Sequence, residues 1–159
     1  MNGSLPALLS SLCLAFAIAL TPPDAVRAQE TEPDVTLPAC GIRYPGGYDP
    51  NTVGVVEGRV ALLGNQERGP VSFRLESDAE TYTVLAAPAW YWAERRIQVR
   101  DGDRVRVKGS KSMGADGNLY LVAREITLPG AETPVILRDI LGKPAWSGCG
   151  PGGCGRRGR

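Results

Sequence analysis

The chain contains no histidine. Imidazole is the commonest general base near neutral pH and the commonest side-chain metal ligand. Its absence excludes a Ser-His-Asp or Cys-His catalytic arrangement and any histidine-containing zinc site. The CxxCH haem attachment motif is excluded with it. A surplus of charge is missing too, because 18 Lys and Arg stand against 17 Asp and Glu for a net charge of +1. That balance lacks the strong positive field of a dedicated polyanion binder, so nucleic acid is not the default partner. There is no convincing internal repeat, and only carboxylates, thiols or backbone atoms remain to hold a metal. Neither a metal nor a cofactor is expected.

Residues 5–20 are nearly all apolar or small. The run is short for a bilayer span and has the length of a signal-peptide core. Thr21-Pro22-Pro23 breaks it, and Val26-Arg27-Ala28 offers tolerated residues ahead of a cleavage point. Residues 1–28 are therefore expected to be a Sec-type leader cleaved after Ala28, giving a periplasmic or secreted protein that begins at Gln29. No Lys or Arg precedes the apolar run, which leaves an uncleaved anchor as the alternative. Leu37-Pro38-Ala39-Cys40 is superficially like a lipoprotein cleavage site but lies far beyond the run that should abut it.

Export implies an oxidising compartment in which thiols can pair. Of the 4 cysteines, Cys13 leaves with the leader, and Cys40, Cys149 and Cys154 are the disulfide candidates. An odd number leaves one thiol free or paired elsewhere. Cys149 and Cys154 enclose a flexible Gly-Pro-Gly-Gly segment, while Cys40 could instead tie the N-terminal arm to the tail. The spacing does not choose.

Residues 29–51 carry prolines, glycines and acids without a sustained period and read as an extended arm, with Tyr44 and Tyr48 available to dock it. From residue 52 the texture becomes short β-rich runs divided by turn residues. Residues 53–63 form a long first strand, with Gly58 at its middle permitting the bend needed by a strand shared between both halves of a barrel. Val71, Phe73 and Leu75 alternate with Ser72, Arg74 and Glu76, and residues 81–87 form a third strand stopped at Pro88. Residues 88–97 read as a short helix with Trp90 or Ala93 and Ile97 inward. Asp101-Gly102-Asp103 turns into a strand in which Val105 and Val107 oppose Arg104, Arg106 and Lys108. Residues 114–118 form a hairpin connection, residues 119–128 the returning strand, and residues 134–137 a last short run. After Gly142 the chain is Gly-rich and basic, and residues 142–159 read as a disordered tail.

The order of three strands, a short helix and two strands resembles the OB fold. The expectation is an all-β, small OB-like Greek-key barrel of five to six strands over residues 52–141, with one short helix. A more distinctive set is Gly-x-Val in the first strand, Pro88-Ala89-Trp90-Tyr91, Gly102-Asp103 with Val105 and Val107, Leu121-Val122-Ala123-Arg124-Glu125, and Leu137-Arg138-Asp139 through Pro144-Ala145-Trp146. Over about residues 52–148 it is similar to exported bacterial OB-like proteins related to the magnetosome proteins MamS and MamX. The resemblance implies a periplasmic or envelope accessory protein beside redox or cytochrome systems. It does not carry haem chemistry over, since the haem motif of MamX-type proteins is absent, and it does not by itself assign a role in magnetosomes.

Three functions of different class follow. The leading one is a non-enzymatic envelope module that binds a protein, a cytochrome in the sense of the resemblance, or a small ligand, through the barrel face or the helix-capped end. A second is a binder of single-stranded nucleic acid or anionic polymer, with Trp90, Tyr91 and Trp92 as stacking rings and Arg104, Arg106 and Lys108 as a basic face. Its simpler counterparts are a hydrophobic lid and the wet side of a strand. A third is thiol redox or metal binding through Cys40, Cys149 and Cys154, against a passive disulfide. Arg124-Glu125 and Arg138-Asp139 read as structural or surface charge pairs rather than as acid-base machinery.

Overall fold

The structure is a computed structural model and describes residues 33–65 and 69–148. The segment expected to be a leader, its expected cleavage point, Cys149, Cys154 and the basic end lie outside the described residues. In chain order the strands are β1 (Val35–Thr36), β2 (Arg43–Tyr44), β3 (Val53–Asn65), β4 (Pro70–Glu76) and β5 (Thr81–Pro88), then helix α1 (Ala89–Glu94), then β6 (Arg104–Met113), β7 (Leu119–Thr127) and β8 (Val135–Ile136). No helix among the described residues is long and apolar enough to cross a membrane.

Alternation along these runs drives barrel formation. Val71, Phe73 and Leu75 of β4 and Val105 and Val107 of β6 are buried while Arg74, Glu76, Arg104 and Arg106 are exposed, as a half-buried pleated strand requires. Strand β3 serves both halves of the sheet. Its first part pairs antiparallel with β6, from Val53 opposite Ser110 to Arg59 opposite Arg104. Its second part pairs antiparallel with β4, from Arg59 opposite Glu76 to Asn65 opposite Val71. At the changeover sits Gly58, where a Cβ would lie 2.3 Å from the Glu76 carbonyl oxygen. Only a residue without a side chain lets the two backbones approach so closely.

The sheet order is β5-β4-β3-β6-β7-β8, and β5 also lies parallel to β7, with Tyr82 opposite Leu119 and Leu85 opposite Val122. That last pairing closes a five-stranded barrel. The first barrel strand is flanked by the second and fourth, and the third runs beside the fifth, which is the OB arrangement with α1 between the third and fourth strands. Past a register shift at Lys108 and Gly109, β6 continues to Met113. The β6–β7 turn is held by Asp116, whose carboxylate accepts from Asn118 and from the Tyr120 hydroxyl. These bonds, Asn118 first, lower the Asp116 carboxyl, while burial and then the bond to Asp116 raise the Tyr120 phenol.

Structure extends beyond residues 52–141 on both sides. Within the expected arm, β1 and β2 pair as Val35 with Tyr44 and Thr36 with Arg43, and Leu37, Cys40, Ile42 and Tyr44 are buried in the core. The Cys40 carbonyl accepts from the Ala115 amide at 2.8 Å, and the Tyr44 hydroxyl donates to the Ala86 carbonyl at 3.1 Å. After β8 the chain returns through a narrow loop in which Ala145 donates to the Leu137 carbonyl and Asp139 to the Lys143 carbonyl. Trp146 is then buried in the same core.

Around helix α1, Ile97 is buried as expected, but Tyr91 takes the inward place expected of Trp90 or Ala93. Tyr91 is 1% exposed, Trp90 and Trp92 are half-buried, and Ala93 is exposed. The reason lies outside the helix: Trp146 packs beneath it with its ring 5.4 Å from that of Tyr91.

Candidate functional site

The arm and the return loop meet around Arg138, which directly follows the apolar run 135–137 and is one of the most deeply buried side chains in the fold, at 1% exposure. Leu137 and Arg138 both donate their amides to the Arg124 carbonyl of β7, which pins the backbone and turns the arginine inward. Its Nη1 donates to the Pro45 carbonyl at 3.0 Å and to the Gly142 carbonyl at 3.1 Å. The guanidinium carbon lies 5.0 Å from the Trp146 ring, 5.5 Å from Tyr44 and 5.9 Å from Tyr48. Aromatic faces carry negative potential and favour a cation placed over them. Tyr44 and Trp146 are themselves stacked at 6.2 Å.

No carboxylate among the described residues forms an ion pair with this cation within 4.0 Å. Its Nε and Nη2, and the indole Nε1 of Trp146, are buried without a hydrogen-bond partner. A buried donor left unmade costs more than a made bond returns. Burial therefore pulls the Arg138 guanidinium below its usual range, against the opposing influence of Tyr44, Tyr48 and Asp34.

Beside Arg138 lies a cavity of about 400 Å³, walled by Pro45, Tyr48, Gly142 and Trp146, with Asp34 and Lys143 also on its lining. These first four residues are also hydrogen-bond or ring partners of Arg138, which is not itself on the lining. The Asp34 carboxylate accepts from the Gly46 amide at 2.7 Å. At the rim the Asp139 carboxylate accepts from the Leu141 and Lys143 amides, both at 2.9 Å, and the turn so fixed holds Ile140 and Leu141 out at 73% and 75% exposure. Gly142 adopts φ +90°, and a Cβ there would lie 2.3 Å from Tyr48 Cδ1.

The residues singled out in the sequence fall elsewhere. Trp90 meets Tyr91 edge to face at 5.7 Å, and Tyr91, being buried, does not offer its ring to solvent as a stacking surface. Arg104, Arg106 and Lys108 do share the outer face of β6, but acids stand among them. Arg106 Nε is 3.3 Å from Glu57 Oε1, and Lys108 is opposite Glu125 in the ladder. Arg124 and Glu125 pair with each other, Nη2 to Oε1 at 2.5 Å, whereas Arg138 and Asp139 point to separate tasks. Cys40 is a buried free thiol, and no cluster of three His, Cys, Asp or Glu suited to a metal occurs among the described residues. Nothing in the sequence singles out Arg138 and Trp146 as site residues. The available signal was an arginine closing the apolar run 135–137, followed by a lone tryptophan in a glycine-rich stretch.

No curated protein matches the chain. A family model does match it, over residues 51–133, and its description is MamS/MamX magnetosome protein family.

Proposed function

Because the chain belongs to the MamS/MamX magnetosome protein family, we propose that it is a non-enzymatic accessory module of the cell envelope that binds a partner protein at the cavity between the arm and the return loop. Membership in that family suggests a magnetosome-associated accessory protein. An OB barrel hosts many unrelated functions, so the assignment has to rest on a site. The observation that carries it is the lip of the cavity. Ile140 and Leu141 are large apolar groups displayed by a turn whose shape Asp139 fixes. Contiguous exposed apolar surface beside a concavity is characteristic of interaction sites. The acids interleaved on the β6 face favour this reading over binding of an anionic polymer, which needs unopposed cations.

Export by the leader and the resemblance to proteins found beside cytochrome systems make envelope cytochromes the first partners to test. Purified full chain is expected to form a saturable complex with one of them in sedimentation velocity, and Leu141→Glu is expected to weaken it about tenfold or more, as for a central apolar contact. Failure to bind any such partner, or a complex indifferent to Leu141→Glu, contradicts the assignment. Turnover of a substrate by the isolated protein contradicts its non-enzymatic part.

A further inference from the structure

We infer that the arm is an intramolecular ligand of the barrel: its residues 37–41 occupy the outer face of β4 and β5 and close it to any other extended apolar polypeptide. The inference goes beyond the reading of the cavity, which shares no lining residue with this face.

The face is defined by strand register. Phe73, Val84 and Leu121 stand in one row and fill the barrel interior. The rows on either side of it, Ser72 with Leu85 and Arg74 with Thr83 and Tyr120, therefore leave the barrel on its outer side. Outward side chains are ordinarily wet, yet Leu85 is 4% exposed and Tyr120 7%. The arm accounts for their burial. Residues 37–40 face Ser72, Thr83, Leu85 and Tyr120 across a gap of about 90 Å³, and the Cys40 carbonyl accepts from Ala115 in the β6–β7 turn.

An OB barrel takes extended ligands on its second and third strands, beside the loop joining its fourth and fifth. Those elements here are β4, β5 and the β6–β7 turn, so the arm lies where a ligand would. Its chemistry shows what the face accepts. The seated segment, Leu37-Pro38-Ala39-Cys40-Gly41, carries no charge, and Arg74 is the one cation in the two outer rows. A phosphate backbone needs several cations, whereas an apolar polypeptide needs the surface of Leu85 and Tyr120. A tethered segment competes at an effective concentration of the order of millimolar, so a partner segment of the same chemistry gains the face only as the arm leaves it.

The test uses the full chain, wild type and Gly41→Val. Gly41 adopts φ +71°, and a Cβ there would lie 3.3 Å from that of Ala115, so a β-branched residue strains the arm at the turn and leaves every barrel strand unaltered. Alkylation of the buried Cys40 thiol by iodoacetamide, located by peptide mass mapping, reports whether the arm has lifted. Far-ultraviolet circular dichroism reports whether the strands persist. Fluorescence anisotropy then follows a labelled peptide of residues 33–44 in reducing buffer. In Gly41→Val, Cys40 is expected to react faster and the peptide to bind saturably, at least about tenfold tighter than to wild type, because the tethered competitor is gone. Leu37→Asp removes a buried apolar anchor of the arm and is expected to give both gains by a second route. Equal peptide binding by wild type and variants overturns the proposal, as does no binding by a variant whose Cys40 reacts faster while its strands persist. Binding of labelled oligothymidylate in place of the peptide assigns the face to nucleic acid and overturns it too. If both variants lose their strands, or Cys40 reacts no faster in either, the arm is a fixed part of the barrel and the proposal fails.

Discussion

Arg138 brings a full charge into a place where water cannot follow, and the residues around it are shaped by that fact. Three rings and two carbonyls soften the loss of hydration, but a buried cation without a carboxylate stays costly. One of those carbonyls belongs to Gly142, whose φ of +90° and contact with Tyr48 both demand glycine. Gly142→Ala is expected to cost about 2–4 kcal/mol in urea unfolding, the sum of left-handed strain and overpacking. Gly117→Ala separates the two effects: its φ is +78° with nothing within 4 Å of the added Cβ, so only the strain, about 1 kcal/mol, is expected. In the sequence Arg138 looks like half of a surface pair with Asp139. Its burial follows from two amides donated to the Arg124 carbonyl, a long-range event that no local pattern announces.

The strands were the legible elements, because a period of two in apolar residues has one physical reading when one face is buried. Val71, Phe73 and Leu75, or Val105 and Val107, identify their face unaided, and Gly58 marks the bend of β3 because a strand tolerates glycine at its centre mainly for close approach. The helix was legible as a helix but not in its orientation. Six residues give too little periodicity to decide among Trp90, Tyr91 and Ala93, and Trp146, distant in sequence, decides it. The return loop was least legible, since one tryptophan among glycines carries no period at all. Its contribution to stability should nevertheless be large. Trp146→Ala is expected to cost about 3–5 kcal/mol, the range for a fully buried large aromatic, and Trp92→Ala, half-buried, clearly less in the same thermal or urea melt.

The molecule as a whole is a barrel closed by the parallel pairing of β5 with β7, embraced by two outlying segments that meet on one side of it. The order β5-β4-β3-β6-β7 was inferable from strand number and the position of the helix, because connection rules leave few alternatives. The embrace was not, since it depends on tertiary contacts of Leu37, Cys40, Ile42, Tyr44 and Trp146, sparse apolar residues in segments poor in them. Function follows from that embrace: the cavity and its lip lie where the arm and the return loop touch.

The most direct test of this arrangement is to compare urea unfolding of residues 33–148 with that of residues 52–141, followed by far-ultraviolet circular dichroism. If the outlying segments are part of one cooperative unit, the shorter chain is expected to lose at least about 3 kcal/mol, the value of a single buried aromatic, and to unfold at a lower midpoint. Equal midpoints and slopes for the two would mean that the barrel stands alone and that the site around Arg138 is an appendage to it.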